Sequence, residues 1–118
     1  MRRLLGVLFA AALLANAPLR AQENVVKGLY DNAILLLRQG RPDEALKDLE
    51  RIYKSYPNSE YADESLYRLG VYHLENKQFQ AALDSFNLLI SSFGDRNMAP
   101  EAYYSIGEIY ANLERVEG

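Results

Sequence analysis

The 118-residue chain contains no cysteine and no tryptophan, and it contains a single histidine. Without cysteine there is no disulfide framework, and no thiol follows the N-terminal segment to carry a lipid anchor. One histidine and no cysteine also exclude the closed zinc sites that these residue types build. His73 falls on the apolar side of a helical pattern, where we predict a packed, hydrogen-bonded core histidine. A catalytic role would need an oriented serine and carboxylate, to which nothing in the sequence points.

An excess of basic residues is also missing, because 13 Lys and Arg face 16 Asp and Glu, for a formal net charge of −3. Nucleic acid is therefore excluded as a partner, since its binding needs a basic surface. No glycine-rich phosphate loop occurs, and the carboxylates fall on outer faces or in the first turns of helical patterns. We predict no enzyme activity, no cofactor and no metal in this chain.

The longest uncharged apolar run, residues 4–15, has 12 residues, too few for an ordinary membrane span. It follows Arg2 and Arg3 and precedes a region of small residues, a layout typical of a secretory signal peptide. We predict that residues 1–21 are this signal peptide and that residues 22–118 are the mature domain. Removal of the three arginines in residues 1–21 changes the formal net charge from −3 to −6.

Two cleavage positions fit this segment. Cleavage after Ala21 is the first choice, whereas cleavage after Ala17 satisfies the small-x-small rule better but leaves Pro18 directly after the cut. The alternative to cleavage is an uncleaved helix that anchors the protein to the membrane, which is the only membrane association we predict. We therefore predict that the protein is exported from the cytoplasm.

A repeat with a period of 37 residues organises the remaining sequence. Each unit contains two helical patterns separated by a short break, and the units span about 25–61, 62–98 and 99–118, the last being incomplete. The spacing of apolar residues predicts helices at 25–38, 42–55, 60–75, 78–93 and 98–113. Gly40 and Pro42 mark the first break, and Ser59 and Asn97 are the predicted N-caps of later helices.

The repeated positions resemble those of the tetratricopeptide repeat family, whose units are antiparallel helix pairs. The residues that carry the resemblance are Leu66, Leu69, Gly70, Phe79, Ala82 and Phe86 in the second unit, Ala33, Ala45 and Pro57 in the first, and Gly107 in the third. The resemblance implies an all-α solenoid in which the small residues let paired helices approach closely. The period of 37 residues exceeds the 34 that are usual for the family. In this longer form the repeat resembles those of bacterial cell-envelope proteins. This similarity implies a role in outer-membrane assembly or in coordination of the Tol-Pal and cell-division type.

In that family, the first helix of each unit lines a concave groove. The positions that the resemblance assigns to this groove are Tyr30, Tyr67, Tyr104, Glu64, Glu101 and Glu108. The three tyrosines would form an aromatic ladder edged by acids, suited to a protein or peptide partner with basic residues. The alternative is that these rings pack across adjacent first helices, and both interpretations can hold together.

Two further functions compete with an exported, non-catalytic binding scaffold. The segment is alternatively a spacer or oligomerisation arm of a larger protein, or it precedes a catalytic domain. Because the third unit stops where its second helix should begin, we expect the sequence to be a fragment. If the last helix is instead a cap, Ile109 and Tyr110 should be shielded by something else.

Overall fold

The computed structural model describes residues 18–117, and the predicted signal peptide falls mostly outside these residues. The described part is an all-α solenoid without strands. Its helices are α1 (Leu19–Arg38), α2 (Pro42–Ser55), α3 (Ala62–Glu75), α4 (Phe79–Phe93) and α5 (Ala99–Glu117). Helices α1 and α2 form one packed pair and α3 and α4 the next, and the three-residue connections make each pair antiparallel. Among these helices, none has both the length and the hydropathy of a membrane span.

The first pair turns at Gly40, which has a positive φ of 71°. The N–H of Gly40 donates to the carbonyl of Leu37 at 3.2 Å, and the N–H of Arg41 donates to the carbonyl of Leu36 at 2.9 Å. These two bonds form a Schellman motif, in which glycine is favoured because it adopts positive φ without strain. Pro42 then begins α2, where its missing N–H costs nothing.

The second pair turns in the same way 37 residues later, but with Lys77 at the left-handed position, φ 58°. The N–H of Lys77 donates to Leu74 and that of Gln78 to His73, at 3.0 and 2.8 Å. The Nδ1 atom of His73 also lies 2.8 Å from the side-chain oxygen of Gln78. His73 is therefore hydrogen-bonded as predicted, but it is half-buried at this turn, and the prediction of a core histidine is wrong.

The joint between the two pairs is fixed by polar contacts with α1. Helix α3 begins at Ala62, so Ser59 is not its N-cap as predicted; its hydroxyl instead accepts a bond from the N–H of Tyr61 at 3.1 Å. The same hydroxyl donates to Glu23 Oε2, and Glu23 Oε1 accepts from the N–H of Glu60, both at 3.2 Å. One carboxylate of α1 thus holds the chain just before α3.

The joint before α5 uses Arg96, which stands 37 residues after Ser59. Its guanidinium donates to the carbonyls of Ser59 and Pro57, at 2.6 and 3.0 Å. The same group lies over the ring of Phe93, 5.2 Å from the centroid. Arg96 therefore connects the two joints directly.

Helix α5 is also held at its start by α3. The buried carboxylate of Asp63 accepts a bond from the N–H of Met98 at 3.2 Å. Helix α5 begins at Ala99, so the predicted N-cap Asn97 lies two residues before the helix, and Asp63 instead binds the residue that directly precedes it. This contact sets the N-terminal turns of α5 against those of α3.

The core lies between the paired helices, and small residues allow the close approach that the repeat predicts. A Cβ atom added to Gly70 would lie 2.5–2.8 Å from three ring atoms of Phe86. Phe86 is fully buried, as are Ala33, Ala45 and Ala82 at the other predicted contact positions. Gly70 is therefore required by the ring that α4 inserts against α3.

Within residues 18–117, helix α5 packs against α4 and α3 with one side only. Its buried side includes Ile109, which is fully covered by the described helices. Its other side exposes Tyr103, Gly107 and Tyr110, which we call the open face of α5. Among the described residues, no atom lies within 4 Å of a Cβ added to Gly107, so its role as a close-contact position stays a prediction. The tyrosines of the open face are 62% and 54% exposed.

Candidate functional site

The predicted groove residues lie on α1, α3 and α5, one tyrosine to each helix. Tyr30 is half-buried and packs on Tyr61, with the two ring centroids 5.3 Å apart. Tyr67 is also half-buried, and its ring lies 5.8 Å from that of Phe86. Tyr104 is 70% exposed. The three rings thus sit in different surroundings, and exposure increases sharply at α5.

Tyr30 and Glu64 belong to a network that connects α1 to α3. The hydroxyl of Tyr30 donates to Glu64 Oε1 at 3.0 Å and accepts from Arg68 Nε at 3.2 Å. The Nε atom of Arg68 is also 3.5 Å from Glu64 Oε1. Burial raises the pKa of Tyr30 above its ordinary value of about 10. The carboxylate of Glu64, which was predicted at the edge of the groove, therefore already has Arg68 as its ion-pair partner.

Tyr67 and Tyr104 meet at a shallow pocket between α3 and α5. Its walls are Tyr67, Pro100, Glu101 and Tyr104, which together we call the tyrosine pocket. Its volume is about 280 Å³. Two aromatic side chains, a proline ring and one carboxylate give it apolar walls and a single negative charge.

Glu108 does not reach the tyrosine pocket. It lines a second cleft of about 530 Å³ with residues of the α3–α4 turn and the end of α5, including Phe79 and Arg115. An equivalent cleft of about 300 Å³ occurs one repeat earlier, where Pro42 and Val71 replace Phe79 and Glu108. The six predicted residues are thus divided among three places, and their role in binding stays a prediction.

Residues that the sequence interpretation did not include complete these sites. Arg68 stands four residues after Glu64, a spacing at which opposite charges pair on a helix, so this signal was present. Pro100 immediately precedes Glu101 at the start of a predicted helix, but nothing in the sequence places it beside Tyr67. Distances between helices of different units determine that contact.

Chemically, these sites are suited to recognition by shape and charge. Within residues 18–117, no three His, Asp or Glu side chains form a group that could hold a metal ion. His73 is engaged with Gln78 at a turn, away from the tyrosine pocket.

Comparison with known proteins agrees with this architecture. A family model described as Tetratricopeptide repeat matches residues 30–97, more than half of the chain. The match begins at Tyr30 and ends within the joint before α5. No curated protein and no solved structure matches the chain significantly.

Proposed function

Because the chain belongs to the tetratricopeptide repeat family, we propose that it is a non-catalytic scaffold that binds a peptide segment of a partner protein. Repeats of this family are protein-interaction scaffolds. The observation that carries the proposal is the tyrosine pocket on the face shared by α3 and α5. Tyrosine offers a large contact area with a polar tip, which suits it to peptide binding.

Charge supports a partner with basic residues. Glu101 and Glu108 are exposed on α5, and neither forms an ion pair among the described residues. Acids at the rim of a binding surface favour cationic partners and disfavour acidic ones. Glu64 contributes less, because Arg68 already pairs with it.

Site-specific photocrosslinking tests the binding surface. A photoreactive phenylalanine analogue is placed at position 104 in one variant and at position 103 in another. Both tyrosines are exposed, but Tyr103 lies on the open face and Tyr104 in the pocket. We expect a crosslinked partner from position 104 that is absent from position 103. Equal crosslinking from both positions, or none from position 104, would refute the proposed surface.

We also propose that the protein acts in the periplasm of a Gram-negative-type cell, because its first 21 residues have the layout of a secretory signal peptide and its repeats resemble those of bacterial cell-envelope proteins. Its place there would be in outer-membrane assembly or in Tol-Pal-type coordination, as the long repeat period implies. The test is cell fractionation followed by intact-mass measurement. We expect a periplasmic protein that begins at Gln22, or at Pro18 if cleavage follows Ala17. A full-length cytoplasmic protein would contradict the proposal.

A second candidate function, oligomerisation, rests on the open face of α5. Tyr103 and Tyr110 are exposed on either side of Gly107, a position whose equivalents in α1 and α3 are buried. Sedimentation of the full chain tests it directly. A dimer that is lost in the Tyr103→Ala, Tyr110→Ala double variant and kept in Tyr104→Ala would favour this function over peptide binding. A concentration-independent monomer would refute it.

A further inference from the structure

The repeat places two equivalent pairs of tyrosine and glutamate along the first helices. The first pair is Tyr30 with Glu64, and the second, 37 residues later, is Tyr67 with Glu101. In each pair the tyrosine belongs to one first helix and the glutamate to the next. The two pairs differ in what accompanies them.

The first pair holds a guanidinium from the chain itself. Arg68 extends from α3 and places Nε 3.2 Å from the Tyr30 hydroxyl and 3.5 Å from Glu64 Oε1. Its side chain is 46% exposed, so it reaches the pair from the surface. The fold therefore contains an example of an arginine recognised by a tyrosine and a glutamate of neighbouring units.

The second pair has no such cation. Its counterpart of Arg68 is Ser105, a short and buried side chain. The described residues lining the tyrosine pocket include no Lys or Arg. Glu101 is exposed and forms no ion pair among the described residues, so its charge is uncompensated.

We propose that the tyrosine pocket binds an arginine side chain of the partner peptide, which takes the place that Arg68 occupies in the first pair. This inference rests on the proposed peptide-binding function and specifies the ligand of the same surface. Glu101 accepts hydrogen bonds from the guanidinium, and the rings of Tyr67 and Tyr104 flank it. Pro100 contacts the aliphatic stem of the ligand.

Arginine fits this pocket better than lysine. Its planar guanidinium stacks on aromatic rings and presents several donors to a carboxylate, whereas an ammonium is a compact, strongly hydrated charge. The first pair already uses Nε as the donor, an atom that lysine lacks. A neutral partner residue would leave the charge of Glu101 without a counterion.

Titration of the full chain with acetyl-arginine-amide, followed by two-dimensional NMR, tests the proposal. Acetyl-citrulline-amide is the uncharged isostere, and acetyl-lysine-amide separates the two cations. We expect saturable shifts at Tyr104 and Glu101 with arginine, and binding weaker by about tenfold or more with citrulline, because a charge-assisted bond is lost. Equal affinity for arginine and citrulline, or no saturable binding of arginine, would overturn the proposal.

Glu101→Gln and Glu108→Gln form a matched pair of variants, since both side chains are exposed on α5 but only Glu101 lines the pocket. Glu101→Gln should weaken arginine binding by about tenfold, and Glu108→Gln should leave it unchanged. Equal effects of the two variants would mean that arginine responds to the acidic surface in general, and the pocket would be rejected.

Arg68→Ser gives a second, independent test. It places at position 68 the residue that the third unit has at position 105, and it should free the Tyr30–Glu64 pair for ligand. We expect the number of arginine sites to rise from one to two. An unchanged number would refute the equivalence between the two pairs. The crosslink from position 104 reports on peptide binding separately, so the specificity for arginine can fail while the proposed function stands.

Discussion

Alanine substitution at the two equivalent glycines should stabilise the protein at Gly107 and should not stabilise it at Gly70. Both are the ninth residue of their helix, so each substitution gains about 1 kcal/mol in helix propensity. At Gly107 no atom of the described residues lies within 4 Å of the new Cβ, so this gain is not offset. At Gly70 the Cβ would lie 2.5–2.8 Å from ring atoms of Phe86, which is fully buried, so the ring would have to shift within the core.

Overpacking of a well-packed core costs about 1–3 kcal/mol, so Gly70→Ala should range from neutral to about 2 kcal/mol destabilising. Since the propensity gain is common to both variants, the difference between them measures the contact with Phe86. For a domain of this size, that difference corresponds to roughly 4–24 °C in Tm. Thermal unfolding followed by circular dichroism at 222 nm is the assay.

A double variant separates the clash from other effects of Gly70→Ala. Phe86→Leu removes the ring, so Gly70→Ala should cost less in that background than in the wild type. Similar shifts of Tm in the two single alanine variants would refute the reasoning, because the ring would then not be held against Gly70. Equal helix content of the folded variants serves as the control.

Three further substitutions test other contacts. Ser65→Ala should raise the free energy of unfolding by about 1 kcal/mol in urea titrations, because the buried Ser65 hydroxyl has no hydrogen-bond partner among the described residues. Arg96→Lys should lower it by about 1–2 kcal/mol, since lysine lacks the fork that reaches the carbonyls of Pro57 and Ser59. Tyr30→Phe should flatten the loss of stability in alkali. Burial raises the pKa of Tyr30 in the folded state, so its contribution is complete below the unfolded pKa of about 10 and is lost as pH rises through the folded pKa. The drop in Tm between about pH 8.5 and about pH 10.5 should therefore be smaller in Tyr30→Phe than in the wild type. Equal drops in the two proteins would show that Tyr30 does not cause the loss of stability.

The period and the helix-pair architecture were predictable, because both follow from residues that recur every 37 positions. Helix α2 has the predicted bounds, and α3 and α5 begin within two residues of prediction. The start of α1 was not found: it lies at Leu19, six residues before the predicted helix, because its first turns precede the repeated pattern. The final turn of α5 likewise extends beyond the predicted end at residue 113.

The turns show why pattern alone falls short. Gly40 indicates a left-handed residue at the end of the first helix, as in a Schellman motif. The second motif has Lys77 in the same left-handed conformation, and a lysine does not indicate it in the sequence. The backbone hydrogen bonds of Lys77 and Gln78 hold that conformation. From the sequence it could be predicted only by analogy with the first turn, 37 residues earlier. Likewise, the prediction of Ser59 as an N-cap is wrong, because its hydroxyl binds Glu23 on another helix and no local rule selects that partner.

The residues of the candidate site were predictable from the sequence, but their arrangement in space was not. Tyr67, Tyr104 and Glu101 came from the repeat register, and the structure brings them to one pocket. The same register grouped Glu64 with them, but Glu64 forms an ion pair with Arg68 and is not available to a partner in the same way. Small differences between equivalent positions, here arginine against serine, therefore decide which of two similar surfaces remains open.

Because α5 packs on one side only within the described residues, ligand binding at the tyrosine pocket is coupled to the docking of α5 on α3 and α4. Three of the four walls of the tyrosine pocket belong to α5, and only Tyr67 belongs to α3. When α5 detaches from α3 and α4, the pocket no longer exists, so a ligand of the pocket binds only the docked helix. At a concentration of 100 times its Kd, such a ligand would stabilise docking by about 2.7 kcal/mol, equivalent to roughly hundredfold slower amide hydrogen exchange throughout α5.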